Sequence, residues 1–136
     1  MKVVVDANLI FSALISKASR IREAFFLETH TFYCPVFVFT ELFKHKESIF
    51  KSSNLSDSEI LNFLHRITER IRFVNEGLVT LESKQQAYNL CYDVDEKDTP
   101  YVALAIELRA ALWTGDNKLR LGLEEKGFTH FYRHDT

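Results

Sequence analysis

The sequence has 136 residues, of which 46% are apolar and 26% are charged, and its formal net charge is −2 at pH 7. A chain of this length and apolar content predicts one packed domain over residues 1–136 and excludes an intrinsically disordered protein. The near-zero charge excludes a uniformly basic surface, although acids gathered in a pocket can offset basic residues on its rim.

Short apolar runs and helical patterns alternate in the first half of the chain. The predicted elements are a strand over residues 2–6, helices over residues 9–15 and 20–28, a strand over residues 31–34 and a helix that begins near Pro35. Asn8 is interpreted as the N-cap of the first helix. The consecutive valines at positions 3–5 favour a strand buried on both faces, as in a parallel sheet covered by helices. Glu41 is placed inside the helix after Pro35, although residues 36–39 could instead extend the preceding strand.

The second half of the chain continues this alternation. Its predicted elements are a helix opened by Ser56, a strand over residues 71–74, a helix over residues 81–92, a helix from residue 98 or 99, a strand over residues 110–114, a helix over residues 117–126 and a strand over residues 128–132. Ser56 and Glu59 form a capping box, Pro100 suits the first turn of a helix, and Gly127 suits a left-handed C-cap. Strands alternating with helices predict an α/β fold, a three-layer α/β/α sandwich with a central, mainly parallel sheet.

One predicted strand ends on an aspartate, and another is followed closely by one. Asp6 ends the first strand, and Asp116 follows the strand over residues 110–114. Asp98 lies at the start of the helix that leads into that later strand. In open α/β sheets, ligands bind beyond the carboxyl ends of the strands. We therefore expect these acids to face one crevice, although each of them taken singly could be a helix cap or a turn residue.

A cluster of ionised carboxylates requires a cation, because two of them about 4 Å apart repel by roughly 4 kcal/mol at an effective dielectric of 20. Oxygen ligands without His or Cys favour a hard ion, Mg²⁺ or Mn²⁺. Magnesium keeps several waters and shares its coordination shell with substrate phosphates. The acids therefore predict a Mg²⁺ or Mn²⁺ site suited to phosphoryl chemistry.

Four segments of the chain resemble the motifs of the PIN-domain nucleases. They are residues 3–10 (VVVDANLI), residues 35–42 (PVFVFTEL), residues 98–105 (DTPYVALA) and residues 112–116 (LWTGD). The ordered set spans nearly the whole chain, and each motif contributes one acid. The resemblance implies a metal-dependent ribonuclease whose catalytic and metal-binding residues are Asp6, Glu41, Asp98 and Asp116.

Three further residues are associated with this implied site. Thr114 would orient the site through hydrogen bonds, and Asn8 would assist. Asp95 is an extra acid beside the third motif and is interpreted as a turn residue, with direct or water-mediated metal binding as the alternative. By analogy with two-metal enzymes, ions held by the acids would activate water for in-line attack on an RNA phosphodiester and stabilise the leaving oxygen.

Basic residues lie close to three of the four acids in the sequence. They are Lys17, Arg20 and Arg22 near the first motif, Lys44, His45 and Lys46 after Glu41, and Lys118 and Arg120 after Asp116. Each of these groups taken singly is typical of a solvated surface, and their adjacency to the acids supports contacts with RNA phosphates as the alternative. His45 is interpreted as a solvated side chain rather than a metal ligand. Four phenylalanines are interpreted as core residues rather than stacking surfaces for bases: Phe25, Phe26, Phe37 and Phe39.

Expectations about partners and location come partly from the resemblance. Stand-alone PIN domains of this size resemble the toxins of toxin–antitoxin pairs, which implies a protein antitoxin over the acidic cleft and a homodimer. The sequence has no signal-peptide pattern and no apolar run near the ~20 residues of a membrane span. Cys34 and Cys91 are interpreted as buried thiols of a reducing compartment. We therefore expect a soluble, cytoplasmic protein without a membrane partner.

Three other classes of protein compete with this interpretation. A receiver-type signalling module requires paired acids after its first strand and a lysine after a late strand, and neither is found at Asp6 or at residues 112–116. An aspartate-nucleophile phosphatase requires a second aspartate at the position of Asn8. A catalytically degenerate PIN-like module that binds RNA or protein is the third alternative, and the retention of all four acids argues against it.

Overall fold

Four parallel strands form one sheet in the order β3-β2-β1-β4, so the first strand of the chain lies in the interior of the sheet. The computed structural model describes residues 1–15 and 20–134. In chain order the elements are β1 (Lys2–Val5), α1 (Ala7–Ile15), α2 (Arg20–Phe25), β2 (Thr31–Pro35), α3 (Val38–Ser52), α4 (Asp57–Arg70), β3 (Ile71–Val74), α5 (Leu81–Cys91), α6 (Thr99–Leu108), β4 (Ala111–Trp113) and α7 (Asn117–Glu125). Two short 3-10 helices, Glu76–Leu78 and Glu96–Asp98, precede α5 and α6.

The valines of β1 form the centre of the hydrophobic core. Val3, Val4 and Val5 are each 0% exposed, as expected for a strand covered on both faces. β1 pairs with β2 on one side and with β4 on the other, where Val5 lies opposite Trp113. The predicted α/β/α sandwich with a parallel sheet is confirmed. Because all four strands are parallel, their carboxyl ends meet at one edge of the sheet.

Local sequence signals set the ends of several helices. At the start of α4, the Ser56 hydroxyl accepts from the Glu59 N–H at 3.2 Å, and Oε1 of Glu59 accepts from the Ser56 N–H at 3.1 Å, which is the predicted capping box. Pro100 lies in the first turn of α6, where its missing N–H leaves no hydrogen bond unmade. Gly127 follows α7 with φ of 91°, as predicted for a left-handed cap.

The chain turns after β2 before it becomes helical. Pro35 is still part of β2, opposite Val74, and Val36 donates its N–H to the Val74 carbonyl at 2.9 Å. The predicted helix start near Pro35 is therefore too early, because that residue belongs to the strand ladder. α3 begins at Val38 and carries Glu41 in its first turn, so the helical placement of this acid is confirmed.

The N-cap of α1 is Asp6, and the prediction of Asn8 as the cap is wrong. The helix begins at Ala7, which places Asn8 inside it with an exposed side chain. Oδ1 of Asp6 accepts from the N–H of Leu9 at 3.0 Å and satisfies one of the free donors of the first turn. The aspartate that ends β1 therefore also stabilises the helix that follows.

Two predicted elements are shorter in the structure by three residues or more. The helix predicted over residues 20–28 ends at Phe25, whose carbonyl accepts a hydrogen bond from an arginine of α4 at 2.8 Å. The strand predicted over residues 128–132 is reduced to a single bridge between Phe131 and Leu112. β4, the edge strand at this side, has only three residues and offers few backbone partners to a further strand.

Both cysteines are free and buried, as predicted. Burial raises the pKa of the Cys34 thiol well above its usual range and that of Cys91 to about 12, so neither is a reactive thiolate near neutral pH. No helix within the described ranges is long and apolar enough to cross a bilayer.

Four phenylalanines were predicted to lie in the core, and the prediction is correct for only two of them. Phe25 is 0% exposed, and Phe37 is partly buried against the core. Phe26 and Phe39 are 37% and 43% exposed, so their assignment to the core is wrong. Each of these two packs against another phenylalanine ring, and the Arg66 guanidinium also lies over the ring of Phe26.

Candidate metal centre

Asp6 is buried at the carboxyl end of β1, with 1% of its surface exposed. Its Oδ1 accepts from the Leu9 N–H, whereas Oδ2 is buried and has no hydrogen-bond partner among the described residues. Burial raises the pKa of this carboxyl to about 7, and the charges of Asp116 and Glu41 add to the rise. A buried carboxylate with a free oxygen is unfavourable unless a proton or a cation neutralises it.

Asp116 lies next to Asp6 because β4 is the neighbour of β1. The Asp6 N–H donates to the Trp113 carbonyl at 3.2 Å, so the hydrogen bonding between β1 and β4 continues as far as Asp6. Oδ1 of Asp116 accepts from the Leu119 N–H at 3.1 Å and caps α7. The Thr114 hydroxyl accepts from the Asp116 N–H at 3.1 Å, and the same side chain lowers the pKa of Asp6. Thr114 therefore lies beside both acids, although it bonds to Asp116 and Oδ2 of Asp6 keeps no hydrogen-bond partner among the described residues.

Asp98 and Asp95 reach the same region from the turn before α6. Asp95 caps the short helix Glu96–Asp98, where its Oδ1 accepts from a backbone N–H at 3.1 Å. Asp98 makes no capping bond to α6. Burial, and after it the charges of Asp6 and Asp95, raises the pKa of Asp98 to about 7. One oxygen from each of Asp95, Asp98 and Asp116 lies within 4.8 Å of the others.

Asp95 thus has the predicted turn role and also lies among the acids. These two roles are compatible, because Oδ1 serves the turn and a carboxylate has a second oxygen. A turn residue that was expected to be peripheral is therefore a candidate ligand, together with Asp98 and Asp116.

Glu41 joins the site from α3. Its Oε1 accepts a hydrogen bond from the hydroxyl of Tyr101 at 2.5 Å. Tyr101 lies on α6 and is 1% exposed, and burial followed by the bond to Glu41 raises the pKa of its hydroxyl, which stays protonated and donates. The negative charge of Glu41 raises the pKa values of both Asp6 and Asp98, so the glutamate shares their electrostatic environment.

We call these five acids the carboxylate centre: Asp6, Glu41, Asp95, Asp98 and Asp116. The three that lie within 4.8 Å of one another form an oxygen-only group, which suits a hard divalent cation. The unpartnered Oδ2 of Asp6 provides a buried oxygen that a cation would satisfy. The residues present therefore fit a divalent metal.

A pocket of about 320 Å³ opens beside the carboxylate centre. Its lining includes Glu41 and His45 from α3, Asn8 from α1, and Asp95 and Asp98 from the turn before α6. The side chain of His45 is exposed, as predicted for a solvated histidine. Asn8 and His45 therefore border the site without belonging to the three-acid group.

The basic residues that neighbour the acids in the sequence differ in their environments. Lys17 lies outside the described residues. Nε of Arg22 donates to the carbonyl of Ala13 at 2.7 Å, and its guanidinium lies over a phenylalanine ring, so this residue joins α2 to α1. Lys44 and Lys118 are exposed and free of such packing roles in the described part of the chain. The exposed lysines are thus the better candidates for phosphate contacts.

A model of the PIN domain family matches residues 4–131 of the chain, a range that contains all five acids. The chain therefore belongs to the PIN-domain family, which has a nuclease-type fold. No curated protein is significantly similar to it in sequence.

Sequence reasoning did not identify Tyr101 as part of the site. Tyr101 lies three residues after Asp98, and residues with this spacing share one face of a helix. That spacing was the available signal, but the partner on α3 can be found only once α3 and α6 are placed side by side.

Proposed function

We propose that this protein is a metal-dependent endoribonuclease that hydrolyses RNA phosphodiester bonds at the carboxylate centre. The observation that carries the proposal is the buried, unpartnered Oδ2 of Asp6, which lies beside a group of three acids whose oxygens approach within 4.8 Å. Such a concentration of negative charge is stable when a cation is bound. Membership of the PIN-domain family supports nuclease chemistry for that cation.

In this proposal Asp6, Glu41, Asp98 and Asp116 would hold Mg²⁺ or Mn²⁺, with Asp95 as a further candidate ligand. When bound, such ions supply an activated water and stabilise the charge on the leaving oxygen. The chain itself contributes the orientation of its carboxylates. Thr114 fixes the turn that presents Asp116.

RNA as the substrate is supported by the balance of charges around the site. The exposed Lys44 lies three residues after Glu41 on α3. The exposed Lys118 lies two residues after Asp116, in the first turn of α7. Cations placed beside an acidic metal site can bind the phosphates on either side of the bond that is cleaved, and such contacts position a nucleic acid without reading its sequence. The net charge of −2 does not oppose this, because binding depends on the local charges.

The test is cleavage of a mixed RNA pool in the presence of Mg²⁺ or Mn²⁺, with and without EDTA. Asp6→Asn and Asp116→Asn should abolish cleavage, and EDTA should abolish it in the wild type. Asp93→Asn is the matched control, because Asp93 pairs with Lys126 and lies outside the three-acid group. Cleavage that survives EDTA or persists in both site variants would exclude this mechanism. RNA binding without any cleavage would favour a degenerate binding module.

The narrower proposal is a cytoplasmic toxin of a toxin–antitoxin pair, with a protein antitoxin over the acidic cleft and a homodimeric assembly. Its support is the resemblance to stand-alone PIN toxins. Expression of the wild type alone in bacteria should arrest growth, whereas Asp116→Asn should not. Normal growth with active, soluble wild-type enzyme would exclude the toxin role while leaving the ribonuclease proposal intact.

A further inference from the structure

The pocket beside the carboxylate centre has two kinds of wall. Phe11 and Ile15 from α1 and Ile49 from α3 form an apolar wall. Ser48 and Asn8 add a hydroxyl and an amide, both exposed. The volume of about 320 Å³ is at the small end of the range for small-molecule sites, which favours a single compact group over an extended chain.

An aromatic pair stands at the rim of this pocket. Phe11 and His45 meet edge to face with ring centroids 5.6 Å apart. Phe11 is partly buried and packs against the hydrophobic core, so its position is fixed by packing, whereas His45 is exposed. Such a pair combines an apolar ring with the polar nitrogens of its neighbour, and this combination is suited to a planar heteroaromatic ring.

The pocket and the carboxylate centre share one face of α3. Glu41, His45 and Ser48 are spaced at i, i+4 and i+7, so they lie along one side of the helix, and all three line the pocket. Asp95 and Asp98 also line it. A phosphodiester held at the acids would therefore have the pocket directly beside it. The exposed Lys97, also in the lining, offers a cation to the backbone of such a ligand.

We propose that this pocket binds one unstacked base of single-stranded RNA, next to the phosphodiester that is cleaved, and so sets the base preference of the enzyme. The proposal rests on the proposed ribonuclease function. Phe11 and the apolar wall would take the face of the base, and Asn8, His45 and Ser48 would bond its edge. Recognition by stacking together with hydrogen bonds to the base edge is how proteins select bases in single strands.

The experiment measures binding by fluorescence anisotropy, using Asp116→Asn protein so that the RNA is not cleaved. The probes are short labelled homopolymers of A, C and U and a ribose-phosphate strand without bases. We expect one homopolymer to bind more tightly than the others and all three to bind more tightly than the abasic strand. Adding Phe11→Leu should weaken binding of the preferred base roughly tenfold, as for loss of one stacking contact, and leave the abasic strand unchanged.

Two further variants separate recognition from damage to the fold. Ser48→Ala changes an exposed hydroxyl and should reduce the difference between bases without altering the melting temperature. Phe43→Leu is the matched control, because Phe43 is a 72% exposed phenylalanine on the same helix but outside the pocket lining. Its affinity for every probe should equal that of the parent.

The results distinguish this inference from the proposed function. Suppose that the wild type shows metal-dependent cleavage, but that all probes bind equally or that Phe11→Leu and Phe43→Leu have equal effects. This result overturns the assignment of the pocket to a base and leaves the proposed ribonuclease function intact. Suppose instead that Phe11→Leu removes base-selective binding, but that the wild type cleaves no RNA. This result supports a base-binding pocket and overturns the proposed ribonuclease activity. No binding of any RNA overturns the inference and leaves a protein segment as the alternative ligand.

Discussion

The hydroxyl of Tyr101 donates a 2.5 Å hydrogen bond to Oε1 of Glu41, and this bond joins α6 to α3 at the carboxylate centre. The tyrosine is 1% exposed, so it cannot exchange this partner for water. A hydrogen bond from a hydroxyl to a carboxylate is stronger than a hydrogen bond between two neutral groups. Because the donor is buried and held in place, the bond also fixes the orientation of the carboxylate. Tyr101 is therefore a positioning residue for Glu41.

Tyr101→Phe should retain the fold but weaken the site. The change removes one hydrogen bond to a charged group, which contributes roughly 1.5–3 kcal/mol, and leaves Glu41 free to rotate. We expect cleavage to fall by about tenfold or more and the Mn²⁺ concentration for half-maximal activity to rise. Tyr132→Phe is the control, since Tyr132 is also buried but packs on Trp113. Equal kinetics for the two variants would show that the bond has no positioning role.

Two substitutions at Asp116 should separate its capping role from its charge. Asn retains an oxygen that accepts from the Leu119 N–H and is as good an N-cap as Asp, so Asp116→Asn should unfold at nearly the wild-type urea concentration. Asp116→Ala should lose about 1 kcal/mol of unfolding free energy. Both variants should be inactive. An active Asp116→Asn protein would contradict a ligand role for the carboxylate.

The stability of the metal-free protein should fall as pH rises from about 4 to 7. The pKa of Asp6 is 3.8 without the fold and about 7 within it, so the folded state binds this proton more tightly in that window. Ionisation of Asp6 then removes up to about 4 kcal/mol, and above pH 7 the effect is constant. The measurement is urea unfolding of wild type and Asp6→Asn in EDTA across this pH range.

The difference between those two proteins reports the ionisation of Asp6 together with its effect on the pKa of Asp98, because the amide neither titrates nor carries charge. Their unfolding free energies should converge at low pH and separate as pH rises, with the wild type becoming relatively less stable. Adding Mg²⁺ at pH 8 should stabilise the wild type more than Asp6→Asn, since only the wild type has the full set of ligands. Parallel pH profiles would contradict the buried, unpaired state of this carboxylate.

Asp95→Asn tests whether this residue is more than a turn cap. Asparagine keeps the acceptor oxygen that binds the backbone N–H, so the melting temperature should change little. If the carboxylate is a ligand, the affinity for Mn²⁺, measured by calorimetry, should fall roughly tenfold or more. Asp93→Asn is the control, because Asp93 is a nearby acid paired with Lys126 and lies outside the three-acid group. Equal affinities would assign Asp95 to the turn alone.

Arg109 offers a stability test that is independent of function. It ends α6 in the left-handed conformation, with φ of 53° and ψ of 40°, and its side chain is exposed. A side chain in this conformation costs about 1–2 kcal/mol, which glycine avoids. Arg109→Gly should therefore raise the unfolding free energy by about 1 kcal/mol, measured with urea. Arg109→Ala keeps the Cβ atom and should give no such gain.

The acids were predictable from the sequence because their signals are local. Asp6 and Asp116 each follow a short apolar run, and such runs are strands in an alternating pattern. Predicting that the two acids lie close together needs one further rule, which is that the carboxyl ends of parallel strands lie at the same edge of the sheet. What the pattern could not show is that β4 is the neighbour of β1, because that depends on long-range packing.

The features that escaped prediction depend on contacts between elements or on the exact start of an element. Tyr101 and Glu41 lie on different helices, and only tertiary packing brings them together. Asn8 and Asp6 are both residue types that cap helices, so the identity of the cap depends on where β1 ends and α1 begins. The pocket beside Phe11 likewise exists only once α1 packs against α3.

The carboxylate centre depends on the pairing of β1 with β4. In this pairing Val5 lies opposite Trp113, a residue far from it along the sequence. Pairings of such long sequence separation form late in folding, after the loop between them has been closed. A growing chain that has not yet added β4 cannot place Asp116, and β1 remains an unpaired edge. The order of synthesis therefore keeps the centre incomplete until β4 and Asp116 have been made.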